Sequence, residues 1–251
     1  MSIAISRIRM QEKEKEADLA IQSEILYNTL MNSVSHELRT PLAAIAGSAG
    51  AIQDENIRQN PDTLKEYARQ IEDATEDLNY IVENLLDMTR LESGHFKLRN
   101  EWHDLSDLLG VTLSRLQKKS PMHPIIVEIA DPFPLLKIDF VLLEQAFYNL
   151  LMNAIVHTKQ GTTIWIRSSY TKKTCTILFE DNGGGISEEH ISQIFNKFYK
   201  FNSQGTGLGL SITQRIINLH NGNISAHLNS LGGLTFKIVL PVEKQPDSVH
   251  E

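Results

Sequence analysis

The stretch Ser35-His36-Glu37-Leu38-Arg39-Thr40-Pro41-Leu42 sets an imidazole, a carboxylate and a hydroxyl within little more than one helical turn. At about 100° per residue, His36 points roughly 160–200° away from Val34, Leu38 and Ile45, and Thr40 lies about 40° round from it. His36 is therefore expected to face water, opposite the apolar side. Glu37 can accept the Nδ1 proton, which fixes the tautomer and leaves Nε2 as a nucleophile. Pro41 has no N–H for the carbonyl of residue 37 and predicts a kink costing about 3 kcal/mol one turn beyond the histidine.

A second chemistry is spread over the C-terminal half. Asn149 and Asn153, at i and i+4, share one face of a helix, and their amide oxygens are hard donors suited to Mg²⁺ already held by phosphate. Asp181-Asn182-Gly183-Gly184-Gly185-Ile186 follows a strand-like run. Its glycines let the backbone approach a flat ligand, and Asp181 can accept a hydrogen bond from an exocyclic amine. Gly205-Thr206-Gly207-Leu208-Gly209-Leu210 opens a helix whose amides and positive end suit phosphates. Asn202-Ser203-Gln204 stands before it in place of a strand, so a dinucleotide-binding Rossmann unit is excluded, and the absence of GxxxxGK[ST] excludes a P-loop.

Two regions of different grammar must position these groups. From about Gln11 to Leu91 strand signals are almost absent. Ala17, Ile21, Ile25, Leu30, Val34, Leu38, Leu42 and Ile45 mark one long helix, and Asn60-Pro61-Asp62 starts another. The second carries the stripe Tyr67, Ile71, Ala74, Leu78, Ile81, Leu85 and Met88. Such a helical hairpin buries little by itself and is expected to form a four-helix bundle in a homodimer. After Gly94, strand-like runs (Ile125 to Ile129, Thr162 to Ser168, Thr174 to Glu180, Asn223 to Leu228, Leu234 to Leu240) alternate with helical ones (Leu105 to Gln117, Phe140 to His157, Leu210 to His220). The fold class expected is α plus α/β: a helical-hairpin dimerisation domain followed by an α/β sandwich with a mixed sheet.

Composition limits the rest. The 251 residues carry 24 Lys and Arg against 31 Asp and Glu, a net charge of −7 that excludes a strongly basic nucleic-acid binder. The start, MSIAISRIRMQEKEKEADLA, lacks the apolar core of a signal peptide, and Pro41 to Gln53 falls short of the ~20 residues of a membrane helix. No membrane contact by this chain and a cytoplasmic location, alone or as the cytoplasmic part of something longer and membrane-anchored, are expected. The lone Cys175 reads as a residue of a half-buried strand, which fits a reducing compartment.

Taken in order, these pieces resemble the sensor histidine kinases of two-component systems from about Gln22 to Glu243. His36 to Pro41 is similar to their H box, Asn149 to Thr158 to the N box and Asp181 to Ile186 to the G1 box. Phe195-Asn196-Lys197-Phe198-Tyr199 is similar to the F box, Gly205 to Leu210 to the G2 box, and Gly232 to Phe236 to the closing glycine box. Asn84-Leu85-Leu86-Asp87-Met88-Thr89-Arg90 and Glu101-Trp102 are further similar to the kinases of Kdp potassium-uptake systems.

The resemblance implies four segments: an N-terminal signalling helix (1–25), a dimerisation and phosphotransfer domain (26–94), a GHKL-type ATP-binding domain (95–244) and a tail (245–251). It implies that His36 takes the γ-phosphoryl of ATP and passes it to an aspartate in the receiver domain of a response regulator. Glu37 would orient and deprotonate His36, and Thr40 would position water when phosphate is removed from the regulator. Asn153 would hold Mg²⁺ with Asn149 beside it, and Asp181 would read the adenine amine. The other implied ATP contacts are His157, Gly183, Gly185, Ile186, Phe195, Lys197, Lys200, Gly205, Thr206, Gly207, Leu208, Gly209 and Thr235.

Three departures bear on rate. Val156 stands where the family commonly has a lysine facing the phosphates, and His157 where it has an aromatic. Only Phe201 to Gln204 separate Lys200 from Gly205, a short lid that should release nucleotide faster. Lys197 and Lys200 replace frequent arginines, giving point charges in place of forks. These leave two alternatives beside the active kinase: a degenerate kinase acting as phosphatase or scaffold, and a GHKL ATPase.

Overall fold

The computed structural model describes residues 31, 34–92, 98–116, 123–201 and 207–244. Ala17, Ile21, Ile25, Leu30, Gly205 and Thr206 lie outside them. The chain divides into two compact units, Met1–Glu83 and Asn84–Glu251, and the division falls inside a helix.

In the first unit, helix α1 covers residues 34–51, Pro41 included. It runs past Ile45, the last residue of its expected stripe, and Asp54 then starts a new short helix, α2 (Glu55–Arg58), by accepting the N–H of Asn56 at 2.8 Å. The 32-residue α3 (Pro61–Glu92) follows. Asn60 Oδ1 accepts from the N–H groups of Asp62 at 3.2 Å and Thr63 at 3.3 Å, and Pro61 occupies the first helical position, where no N–H is needed. Ala74 and Ile81 are buried and the rest of the expected α3 stripe is half-buried. Leu42, expected in the α1 stripe, is instead 51% exposed. Its direction is about 80° off Val34, whereas Leu38, Pro41, Ile45 and Ser48 keep within about 40° and form the inward side. Buried Ser48 donates to Gln70 Oε1 at 3.0 Å, a polar tie between α1 and α3.

The second unit is built on a five-stranded sheet in the order β2 (Ile125–Glu128), β4 (Ile164–Tyr170), β5 (Thr174–Asp181), β7 (Leu234–Pro241), β6 (Asn223–Leu228). β2 runs parallel to β4 and the remaining pairs are antiparallel, so the sheet is mixed. Helix α5 (Phe140–His157) packs against α4 (Leu105–Leu116), α7 (Gly209–Leu219) and β5. Alternation in β5 puts Cys175, Ile177 and Phe179 into the core, where Phe179 meets Phe147 of α5 edge-on at 5.0 Å. Cys175 is fully buried, and burial pushes its thiol up to about 11.

Two tight polar joints hold the helical layer. Asp139 caps α5 by accepting the Leu142 N–H at 3.3 Å and also accepts the Arg99 N–H at 3.0 Å. His220, just beyond α7, accepts the Asp139 N–H on Nε2 at 3.0 Å and directs Nδ1 to the Ile216 carbonyl at 2.8 Å. That pair of bonds requires the neutral Nδ1–H tautomer, and burial lowers the His220 pKa. Besides α2 in the first unit, three elements of this unit have no counterpart in the sequence reading: β1 (Glu101–His103) and β3 (Leu136–Ile138), which form a two-stranded antiparallel sheet, and α6 (Glu188–Ile191).

Candidate functional site

In the first unit, His36 and Thr40 are exposed, Glu37 and Leu38 are half-buried and Val34 is buried. The Thr40 hydroxyl reaches back toward the His36 carbonyl at 3.5 Å. Helix α1 thus presents an imidazole and a hydroxyl to solvent one turn apart, fixed from behind by the apolar side.

The second unit gathers its polar residues at the C-terminal ends of α5 and β5 and at the N-terminal end of α7. Asp181, the last residue of β5, is 6% exposed. Its Oδ1 accepts the Gly183 N–H at 2.8 Å and the Leu234 N–H at 3.4 Å, while Oδ2 takes no hydrogen bond among the described residues. Desolvation raises the Asp181 pKa, and the two backbone donors oppose that shift in part. One carboxylate oxygen is therefore anchored and the other is free to accept from a ligand.

The glycines around it make room. A Cβ on Gly183 would stand 2.2 Å from Thr158 Cγ2, and one on Gly233 2.0 Å from the Asp181 carbonyl oxygen. Gly183 is half-buried, as are Gly185 and Ile186. Thr158 ends α5, its hydroxyl donating to the Ala154 carbonyl at 2.7 Å.

On α5, Asn149 is 2% exposed and its Nδ2 donates to the Gly209 carbonyl at 3.2 Å, tying α5 to the first residue of α7. Asn153 is half-buried, and its side chain makes no hydrogen bond among the described residues. His157 lies at the surface with its ring partly desolvated, which lowers its pKa. Val156 is 43% exposed.

Gly207 turns the chain into α7 with φ +65°, and its carbonyl accepts the Phe198 N–H at 2.9 Å. A Cβ there would fall 2.7 Å from the Phe198 carbonyl carbon. Leu208 is buried behind this turn. Half-buried Phe195 meets Phe236 edge-on at 6.2 Å; Lys197 is exposed and Lys200 half-buried. Thr235 is buried, donating to Glu180 Oε1 at 3.3 Å. Sequence reasoning missed Asn229, whose side chain organises the turn between β6 and β7. The Asn-Ser start of Asn229-Ser230-Leu231-Gly232-Gly233 is the turn signal that could have found it.

Comparison with known proteins places this geometry. Residues 27–94 match the His Kinase A (phospho-acceptor) domain, and residues 138–244 match the Histidine kinase-, DNA gyrase B-, and HSP90-like ATPase family. Through these two domains the chain belongs to the histidine kinase family. Among curated relatives of this kinase, the sensor proteins KdpD of Clostridium acetobutylicum and Escherichia coli are 32% and 31% identical. Each alignment covers 97% of this chain and 28% of the relative, so the chain spans little more than a quarter of their length. The Acinetobacter baumannii histidine kinase AdeS shares the fold, with a TM-score of 0.62 and 24% identity over 83% of this chain and 98% of that one. The histidine kinase ThkA, solved in complex with the response regulator protein TrrA, matches with a TM-score of 0.61 and 25% identity over 83% of this chain and 59% of that chain. No helix among the described residues is long and apolar enough to cross a membrane.

Proposed function

We propose that this kinase transfers the γ-phosphoryl of ATP to His36 Nε2 and then to an aspartate of a response regulator's receiver domain. The observation that carries the reading is the exposed His36 on α1 in a chain whose second unit is an ATPase domain of the histidine-kinase type. Neutral imidazole with its proton on Nδ1 is the nucleophile, and the carboxylate of Glu37 stabilises the cation that forms as the P–N bond is made. Thr40 positions water for the reverse task, hydrolysis of the regulator's phosphoryl group.

In the ATP-binding unit, Asp181 Oδ2 accepts from the adenine amine, and Gly183, Gly185 and Ile186 bring backbone close to the base. Gly205, Thr206, Gly207, Leu208 and Gly209 set the phosphates against the positive end of α7, with Lys197 and Lys200 supplying charge. Phe195, His157 and Thr235 border the nucleotide.

Asn153 fits Mg²⁺: it is half-buried and its amide makes no hydrogen bond among the described residues, so its Oδ1 can turn to the metal, while Asn149 beside it has its Nδ2 directed to the Gly209 carbonyl. A single amide oxygen suffices only when phosphate oxygens and water complete the shell, the usual manner of Mg²⁺ at a nucleotide. When bound, the metal neutralises charge on the transferring phosphoryl group. A homodimer is supported by Leu42, Val82 and Leu86 on α1 and α3, which stay 51%, 40% and 49% exposed.

The test is incubation with γ-labelled ATP and Mg²⁺. Wild type should acquire acid-labile, alkali-stable label, and His36→Gln should acquire none while binding ATP with unchanged affinity. Equal labelling of the variant refutes His36 as acceptor.

A further inference from the structure

The turn that joins β6 to β7 is organised by one side chain. Asn229 Nδ2 donates to the Asp181 carbonyl at 3.0 Å, the Leu234 carbonyl at 3.2 Å and the Thr235 hydroxyl at 3.2 Å. Its Oδ1 accepts the N–H groups of Gly233 at 2.9 Å and Leu231 at 3.0 Å. The two N–H hydrogens, one shared between two acceptors, and the carbonyl oxygen are all engaged, and every partner belongs to the turn, the start of β7 or the end of β5. The turn is thereby pressed onto Asp181. Gly233 sits so close that only a hydrogen fits between it and the Asp181 backbone, and the next residue, Leu234, sends its N–H to Asp181 Oδ1.

The carboxylate of Asp181 is held at one oxygen by two backbone donors from opposite sides, Gly183 in its own loop and Leu234 across the turn. Asn229 binds the Leu234 carbonyl and the Gly233 amide on either side of the Leu234 donor, which stands just past the last β5–β7 ladder pair. The β5–β7 ladder ends at the pair Glu180 and Thr235, one residue short of Asp181 and Leu234, and beyond it, apart from the Asn229 side chain, the turn itself is shaped by the Asn229 N–H to Gly233 carbonyl bond at 3.1 Å and the Gly232 N–H to Asn229 carbonyl bond at 3.3 Å. Neither of these reaches β5.

We infer that Asn229 is a positioning residue for nucleobase selection: it locks the β6–β7 turn onto the end of β5 and so fixes which Asp181 oxygen faces the exocyclic amine. The inference rests on the proposed reading of Asp181 as the adenine acceptor. An anchored acceptor discriminates adenine, which offers an amine, from guanine, which offers a carbonyl at the same ring position. An acceptor that swings discriminates less, because a small misplacement weakens a hydrogen bond steeply. Among the described residues Asn229 makes no hydrogen bond with the N-terminal end of α7, so recognition of the γ-phosphate is expected to be left untouched.

The experiment measures dissociation constants of ATP, ADP and GTP with Mg²⁺ for the full chain and for Asn229→Ala, by calorimetric titration. For Asn229→Ala we expect ATP affinity to fall about tenfold, the ATP:GTP ratio to shrink by a similar factor, and the ATP:ADP ratio to stay within twofold. Wild type with no preference for ATP over GTP would defeat the adenine reading of Asp181. Wild type that prefers ATP, with Asn229→Ala keeping the same preference, would overturn the role of Asn229 alone. Equal weakening toward ATP and GTP would also overturn it, since that is what a merely structural residue does. Should Asn229→Ala lose its native circular dichroism, Asn229→Ser carries the same comparison, because its hydroxyl can restore one of the two N–H donations. It is expected to lie between wild type and loss of selectivity, and full wild-type selectivity in a folded Asn229→Ser would count against the amide.

Discussion

Replacing Gly183 by alanine tests the close approach of the α5 end to the loop after β5. The added methyl would meet Thr158 Cγ2 at 2.2 Å, Thr158 Cβ at 2.6 Å and Asp181 Oδ1 at 3.1 Å. Non-bonded carbons rest about 3.5–4.0 Å apart, so the loop and the helix end must separate by more than about 1 Å. Thr158 is β-branched with its hydroxyl bound to Ala154, so it cannot turn away without losing that bond. Overpacking of this kind costs about 1–3 kcal/mol, and at about 2–4 °C per kcal/mol for a domain of this size the melting temperature should drop by about 2–12 °C. The same displacement moves the Gly183 N–H that holds Asp181 Oδ1 at 2.8 Å, so ATP affinity should fall at least tenfold. Thermal melts of the apo protein and ATP titrations read the two effects separately. Adding Thr158→Ser removes the nearest carbon and keeps the hydroxyl, so the double variant should recover part of both losses. Gly183→Ala that melts within 1 °C of wild type and binds ATP within twofold of it would refute the steric reasoning.

Three other perturbations follow from the site and its supports. Burial raises the Asp181 pKa, so the ionised acceptor is lost at a higher pH than for an ordinary aspartate; ATP affinity should decline as pH falls through that range, and Asp181→Asn should abolish both the preference for ATP over GTP and this pH dependence. In the apo protein the sign is opposite, because a raised carboxyl pKa means the folded state binds the proton more tightly and stability falls as pH rises; Asp181→Asn should flatten that slope in melts below neutrality. His220 has a lowered pKa and must stay neutral to accept the Asp139 N–H, so its contribution is complete above the unfolded value of about 6.5 and is lost as pH falls toward its folded value; the melting temperature of wild type should fall between pH 7.5 and 5 more than that of His220→Gln. Val156→Lys places a cation at an exposed position one helical turn from Asn153 and should raise ATP affinity or the initial phosphorylation rate several-fold; unchanged constants would show that Lys197 or Lys200 already supplies that charge.

The elements that sequence made legible are those long enough to show a period. Helices α3, α5 and α7 and strands β5, β6 and β7 repeat their apolar residues over six or more positions, and the structure puts their bounds within a residue or so of the spacing. β1 and β3 have three residues each and α6 four, too few for either period to register. Leu42 misled because an i+4 step from Leu38 is allowed on a helix face, yet the inward side of α1 follows 34, 38, 41, 45 and 48, which put proline and serine inside. At the site, single residue types marked His36 and Asp181 as candidates, and the structure leaves His36 exposed and anchors one oxygen of the buried Asp181 carboxylate. Residue types did not foretell that Asn149 would direct its Nδ2 to the Gly209 carbonyl, or that Asn229 would brace Asp181 across 48 residues of chain. The first pairing depends on how α5 and α7 pack and the second on which strand ends meet, properties of the tertiary fold that no local pattern carries.

The buried Cys175 gives the sheet a built-in reporter. It is the chain's single thiol, and it sits between Tyr170 of β4 and Leu240 of β7 with no accessible surface. A thiol-specific reagent needs an exposed thiolate, and here both burial and a pKa pushed up to about 11 withhold it. Labelling can then proceed only through excursions that part β5 from its neighbours. The ratio of its labelling rate in the native protein to that in denaturant measures the opening free energy of the central strand, the strand whose last residue is Asp181. The protein thus carries its own probe of how firmly the platform beneath the nucleotide site is held, without any engineered residue.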